Sequence, residues 1–345
     1  MPNVAVIILN WNGRDLLAKF LPSLIEHTSI PNCRLVVADN NSGDESVMFV
    51  KESFPEIEVL EFDRNYGFAE GYNKAVEIIK DEYVVLLNSD VEVCENWLQP
   101  LIQVFAKEEN VGAVMPKILD FKRKEYFEYA GAAGGFIDKY GFAFCRGRVF
   151  DFLEKDEGQY DKLSKVFWVS GACFVTKRAY YLENGGLDGR FFAHMEEIDL
   201  CWRMKNRGLN LFCEPASKVF HVGGASLSAS NPKKTFLNFR NNLYLLYKNL
   251  PKQGFYSIFF LRLILDGIAG AKFLLSCKTD DFFAVLDAHV GFYSNIGKMK
   301  KSREENLENA INQIHPEIFN GSIVKEYFLG KTTIFSKLNF RVKNE

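Results

Sequence analysis

Over the first 115 residues, short apolar runs alternate with helically spaced apolar side chains, and this rhythm constrains the fold more than any other feature. Residues 4–9 are an unbroken run of Val, Ile, Leu and Ala, as expected of a strand covered on both faces. Asn10-Trp11-Asn12-Gly13 breaks the run, and Leu16, Leu17, Phe20, Leu21 and Leu24 then recur at helical spacing. The same alternation predicts strands at 35–38, 57–62, 83–87 and 111–115. Helices are expected from about residue 45, over 70–79 and over 97–105. Strand, helix, strand with short turns predicts an open, mostly parallel sheet with right-handed crossovers and helices on its faces.

Ligands of such sheets bind beyond the carboxyl ends of the strands. The polar clusters fall there: Asn10 to Asn12, Asp39 to Asp44, Asp63 to Asn65 and Asn88-Ser89-Asp90. A nucleotide-sized crevice is therefore expected, although neither a GxGxxG fingerprint nor a GxxxxGK[ST] loop occurs. Asp90 at a strand end suits a divalent cation that also holds phosphates, and the same tripeptide suits an ordinary turn. Asp39 fits a base or ribose contact, or an Asx turn. Asn65-Tyr66-Gly67-Phe68-Ala69 opens a helix whose amides can approach a phosphate, or is a loop with a glycine bend.

Beyond residue 120 the pattern loosens into Gly- and aromatic-rich hairpins up to about 158. Order returns at 166–175, with helices predicted over 177–183 and 196–207 and short strands near 209–213 and 219–222. His194-Met195-Glu196-Glu197-Ile198-Asp199-Leu200-Cys201-Trp202-Arg203 is the densest ionisable cluster. Glu196 and Glu197, being adjacent on a helix, point in different directions, so one of them can face a substrate as general base. Asp199 and Arg203 lie four apart and read as a helix-surface ion pair. A solvated charged face explains the cluster equally well. His221, before Val222-Gly223-Gly224-Ala225-Ser226, is a ligand or a bystander.

The succession VAVIILNWNG, VVADNNSGD, NYGFAEGYNKA, VVLLNSD, VSGACFVTKRAYY, GGLDGRFFAHMEEIDLCWRMKNRG and HVGGAS resembles the family 2 glycosyltransferases of the GT-A fold, nearest to bacterial polysaccharide and rhamnosyltransferase-like members. The resemblance covers roughly residues 3–250. It implies a Rossmann-like nucleotide-binding half over 1–115, an acceptor-binding and catalytic half over 116–230, and a helical C-terminal extension over 231–345. It also implies transfer of a sugar, with inversion, from a nucleotide donor such as a dTDP- or UDP-sugar to a glycan or lipid-linked glycan, in cell-surface polysaccharide assembly. Asn10, Asn12, Asp39, Asn65, Gly67, Gly71, Asn88 and Ser89 would then contact the donor. Asp90 would bind Mg²⁺ or Mn²⁺, with His221 as a further metal or diphosphate contact. Glu197, or failing it Glu196, would be the base. Asn88 stands where many relatives carry the first Asp of a DxD motif, and Glu197 replaces the usual Asp of a Glu-Asp pair. A sugar-1-phosphate nucleotidyltransferase and an inactive donor-binding scaffold are the rival readings; the first fits Asn10-Trp11-Asn12-Gly13-Arg14 poorly, and the departures at Asn88 and Glu197 are what admit the second.

Composition narrows the partners. Lys and Arg total 42 against 44 Asp and Glu, a net charge of -2 that argues against nucleic acid. Seven scattered cysteines without a CxxC pair suit reduced thiols in a cytoplasm. No secretory leader is expected at the N-terminus. Residues 255–275 are the most apolar stretch, but Arg262, Asp266 and Lys272 interrupt it. A helix in the membrane interface, or one packed on the protein, is expected rather than a span. Peripheral attachment to the cytoplasmic face of the inner membrane and a homodimer are both compatible with this segment. Lys298, Lys300, Lys301 and Arg303 read as a solvated helix face or a site for anionic headgroups.

Overall fold

The computed structural model describes residues 2–28, 30–223 and 231–340. The chain runs β1 (Val4–Asn10), α1 (Arg14–His27), β2 (Cys33–Asp39), α2 (Ser46–Ser53), β3 (Glu58–Glu61), α3 (Gly67–Ile78), β4 (Tyr83–Asn88), β5 (Val91–Val93), α4 (Leu98–Lys107) and β6 (Val111–Asp120). Short strands follow: β7 (Gly135–Asp138), β8 (Ala143–Cys145), β9 (Arg148–Val149), β10 (Phe152–Leu153) and β11 (Ser164–Val166). Then come β12 (Cys173–Lys177), α5 (Arg178–Glu183), α6 (Glu196–Asn206), β13 (Asn210–His221), α7 (Pro232–Asn249), α8 (Phe255–Leu275), α9 (Thr279–Glu308), β14 (Ile318–Phe319) and α10 (Ile323–Phe328).

The main sheet has the order β11-β13-β6-β12-β4-β1-β2-β3, with β5 paired to β13. Strands β4, β1, β2 and β3 are parallel, as the alternation predicts. The other half departs from a parallel sheet: β12 lies antiparallel between β4 and β6. An apolar run specifies burial but not direction, so this reversal is invisible to periodicity. Strand β6 also runs five residues past its expected end and carries Pro116 and Lys117. The pairing with β13 slips between Glu214 and Lys218, opposite Pro116, which has no N–H for a ladder bond. That slip joins the two short strands expected near 209–222 into one. Lys117 is fully buried and paired with Asp156 and Asp161.

A second sheet, β10-β9-β8-β7-β14, holds the Gly-rich hairpins. Gly135 is required here, because a Cβ would lie 2.0 Å from the Trp168 indole. The tail, read as helical to its end, instead supplies β14, which pairs in parallel with β7. Phe335 and Phe340 then pack on Phe136 and Phe144. Among the described residues no helix is long and apolar enough to cross a membrane. All seven cysteines are free.

Candidate functional site

Register places three polar strand ends side by side: Asn10 opposite Asp39, and Leu9 opposite Asn88. Asn10 Nδ2 donates to Asp39 Oδ1 at 2.9 Å, and the Ser42 amide to Asp39 Oδ2 at 2.8 Å. Asn12 accepts from the Gly43 amide at 2.7 Å. Asp39 is buried, and its oxygens brace the β1–α1 and β2–α2 loops into one edge. Asn40, which sequence reasoning passed over, ties that edge to the start of α3. It donates to Asn65 Oδ1 and to the Gly67 carbonyl, both at 2.9 Å, and accepts from the Tyr66 amide at 2.8 Å. Gly67 has φ +75°, and α3 begins there rather than at 70. At Gly71 a Cβ would lie 2.8 Å from Leu9 and 3.2 Å from Asn40, so glycine lets α3 close onto β1. Asn88 and Ser89 are half-buried beside the buried Asp90.

Asp90 and His221 are far apart in sequence, and the sheet joins them. Strand β5, immediately after Asp90, pairs with the end of β13, where His221 sits opposite Val91. His221 Nε2 lies 3.1 Å from Asp90 Oδ1, and its Nδ1 lies 3.3 Å from Glu128 Oε1. Burial alone would push the imidazole down, but the bonds to Asp90 and Glu128 and their charges outweigh it and raise the pKa to about 10. Glu128 had no signal in the loosely patterned 121–158 segment; the ladder bond of its amide to the Ile118 carbonyl, 3.1 Å, carries it in. Among the described residues no three His, Cys, Asp or Glu form a ready-made metal cage. The Asp90 carboxylate fits a hard cation that arrives with phosphate and water ligands, as Mg²⁺ and Mn²⁺ do, and His221 would join it only by giving up the proton it holds between the two carboxylates. The Gly224-Ala225-Ser226 part of the His221 motif lies outside the described residues.

Helix α6 starts from a strained turn. Phe192, His194 and Met195 all have left-handed backbone, with φ of 67°, 69° and 74°. Such residues cost of order 1–3 kcal/mol each and persist only when neighbours hold them. Asn241 of α7 does so, its Nδ2 lying 2.9, 2.8 and 2.8 Å from the carbonyls of Phe191, Ala193 and His194. The turn sends the two glutamates apart. Glu196 is buried. Glu197 is partly exposed and faces Gly171, whose Cβ would lie 3.8 Å from it and 3.7 Å from Phe68 on α3. Among the described residues neither Glu197 Oε2 nor Glu196 Oε2 has a hydrogen-bond partner. Burial raises its carboxyl to about 7, against backbone amides that lower it. Burial, and then the charge of Glu197, hold Glu196 well above the ordinary carboxylate range.

Asp199 and Arg203 do pair, but not on the surface, contrary to the sequence reading. Asp199 is fully buried, 2.9 Å from Arg203 Nη2, 2.7 Å from Lys248 Nζ and 2.9 Å from Asn249 Nδ2. Burial opposes its charge, yet the two cations hold its carboxyl below the usual range. Asp188 also contacts Lys248, at 2.5 Å. Spacing of four residues marks an ion pair without saying which way it faces, and Lys248 lies too far along the chain to be guessed.

Residues 5–182 match the family model described as glycosyl transferase family 2. The chain is 27% identical over 234 residues to the O-antigen biosynthesis protein RfbC of Myxococcus xanthus, covering 66% of this chain but only 18% of that protein. It is 24% identical over 230 residues to the N-acetylglucosaminyl-diphospho-decaprenol L-rhamnosyltransferase of Mycobacterium tuberculosis, covering 63% and 75% of the two chains. The crystal structure of GalNAc-T7 with UDP, GalNAc and Mn²⁺ superposes with a TM-score of 0.63 at 16% identity, over 91% of this chain and 55% of that one.

Proposed function

This chain belongs to glycosyltransferase family 2, and we propose that it transfers a sugar with inversion from a nucleoside-diphosphate donor to an acceptor hydroxyl. Its fold is of the GT-A type and its activity is glycosyl transfer. The observation that carries the finer reading is Glu197. Its carboxylate has an unpartnered oxygen, a pKa raised to about 7 and, unlike Glu196, a place across Gly171 from Phe68 at the start of α3, next to the polar strand ends.

Glu197 accepts the acceptor's proton while that oxygen attacks C1 of the sugar. The C1–O bond to the diphosphate breaks on the opposite face, and the electron pair leaves with the nucleotide. Attack from the far side inverts the anomeric centre. Asn10, Asn12, Asp39, Asn65, Gly67, Gly71, Asn88 and Ser89 form the donor side, with Asn40 bracing it. Asp90 would hold the Mg²⁺ or Mn²⁺, and His221, oriented by Glu128, would be a further metal ligand once deprotonated or, as an imidazolium, a contact to the diphosphate. A cation bound there supplies charge neutralisation for the departing diphosphate. Relatives named for O-antigen biosynthesis and for rhamnosyl transfer to a decaprenol-linked sugar support a glycan or lipid-linked glycan acceptor and a place in cell-surface polysaccharide assembly; we assign a dTDP- or UDP-sugar as the donor class.

The test is product analysis across a panel of nucleotide sugars with and without Mn²⁺. Release of nucleoside diphosphate with a β-product from an α-donor, or the reverse, is expected. Release of pyrophosphate, or retention of anomeric configuration, would overturn the proposal.

A further inference from the structure

Helix α8 is built inside out. Two of its three charged residues, Arg262 and Asp266, are buried and point at the protein. Arg262 Nε donates to Asp266 Oδ1 at 2.7 Å and Nη1 donates to Asn242 Oδ1 at 2.5 Å, while the guanidinium sits 3.9 Å over the Phe142 ring. Asn242 in turn donates to the Gly141 carbonyl at 2.6 Å, so α8 is bolted to the body that carries α6. The charges that interrupt the apolar stretch in sequence are therefore on the wrong side to be wetted.

The outward face holds Tyr256, Phe260, Ile264, Ile268 and Leu275, with Phe260 and Ile268 63% and 61% exposed. It carries no carboxylate and a single cation, Lys272. The next helix, α9, packs against α8 and exposes Phe283, Leu286, Val290 and Tyr293 at helical spacing. Phe328 and Leu329 at the end of α10 extend the surface, since Lys272 Nζ lies 4.7 Å over the Phe328 ring. An apolar surface of this extent on a folded chain marks an interaction site.

We infer that the outward face of α8, with the adjoining α9 and α10 side chains, lies in the interface of an anionic lipid bilayer. The charge pattern selects that occupant. Lys272, Lys278, Lys325 and Lys331 are exposed around the α8–α10 edge and outnumber Asp280 and Asp287, the carboxylates exposed on the adjoining stretch of α9, so a basic rim meets anionic headgroups while Phe and Ile enter the acyl boundary. The cluster near residue 300 is not part of it: Lys300 and Lys301 lie 3.9 and 3.7 Å from Glu304 and Glu305, and Arg303 turns over Phe255. This inference does not depend on the assignment of the catalytic base.

The experiment is co-sedimentation of the full chain with vesicles of phosphatidylethanolamine and phosphatidylglycerol, beside phosphatidylcholine alone. Wild type is expected to pellet with the anionic vesicles and to bind phosphatidylcholine more weakly. The pair Ile264→Glu and Ile268→Glu should lower binding by at least about tenfold. Ile78→Glu, at another exposed apolar position, should not. Melting curves check folding, and Phe260→Ser offers a milder outward change if the double variant unfolds. Wild type remaining in the supernatant with both lipids, or equal binding by the outward variants, would overturn the inference. So would a solution dimer that those variants convert to monomer, because a second copy would then cover the face.

Discussion

Replacing Glu197 by glutamine keeps the shape of the side chain and removes its basicity. Loss of a positioned general base costs about 10²–10⁴ in rate, which is about 2.7–5.4 kcal/mol of barrier. The structure adds a pH signature. With its carboxyl raised to about 7, Glu197 is about 1% ionised at pH 5, so transfer should rise about a hundredfold between pH 5 and 8 with a slope of one. A carboxyl at the ordinary 4.5 would already be about three-quarters ionised at pH 5, and the rate would change less than twofold. Glu196 behaves oppositely. Glu196 is buried, held well above the ordinary carboxylate range by burial and the Glu197 charge, and is not among the groups that meet Gly171, so Glu196→Gln removes a carboxyl with no route to the acceptor. Its rate at pH 7 should stay within about threefold of wild type. Initial rates of nucleoside-diphosphate release from pH 5 to 9, with calorimetric donor binding as a control, decide the matter. Full turnover by Glu197→Gln, equal losses for both variants, or a flat profile down to pH 5 would refute the reasoning.

Three other outcomes are expected. Asp199→Ala leaves the buried Arg203 without a carboxylate and Lys248 with Asp188 alone, and urea unfolding should show a loss of about 3–5 kcal/mol; because the Asp199 carboxyl is held low when folded, its contribution is present above the ordinary carboxylate range and fades as pH falls below it, so a shift under about 1 kcal/mol at pH 7 would contradict the buried network. Asn241→Ala frees the left-handed turn before α6 and should lower kcat by about tenfold or more with donor affinity unchanged, measured by steady-state kinetics. Gly135→Ala drives a methyl into the Trp168 ring and should destabilise by about 1–3 kcal/mol, read from the thermal midpoint.

The parallel half of the sheet was legible because β1 and β4 are covered on both faces, which imposes a continuous apolar run, and because the polar strand ends share one edge; the half-buried edge strand β3 was legible from the rhythm alone. The site's carboxylates were legible in place but not in role. Adjacency on a helix says that Glu196 and Glu197 diverge; only the turn held by Asn241 decides which one faces Gly171. Asn40, Glu128 and Asn241 escaped because their work is to accept or donate across long sequence separations. A buried Asn in a helix rich in Phe and Leu looks like any other polar residue on a solvated face. Lys117 hid the true length of β6 for the same reason: its two aspartates come from the hairpin segment.

The far end of the polypeptide is woven into its middle. Ile318–Phe319 forms the edge strand beside β7, the Ile323 amide donates to Asp138 Oδ2 at 2.9 Å, and the Phe335 amide donates to Glu154 Oε1 at 2.9 Å. Replacing the C-terminal helices of this chain would thus tear a strand from a sheet rather than change a detachable module. Any workable chimera has to move residues 135–154 and 318–340 together, as a single exchangeable block.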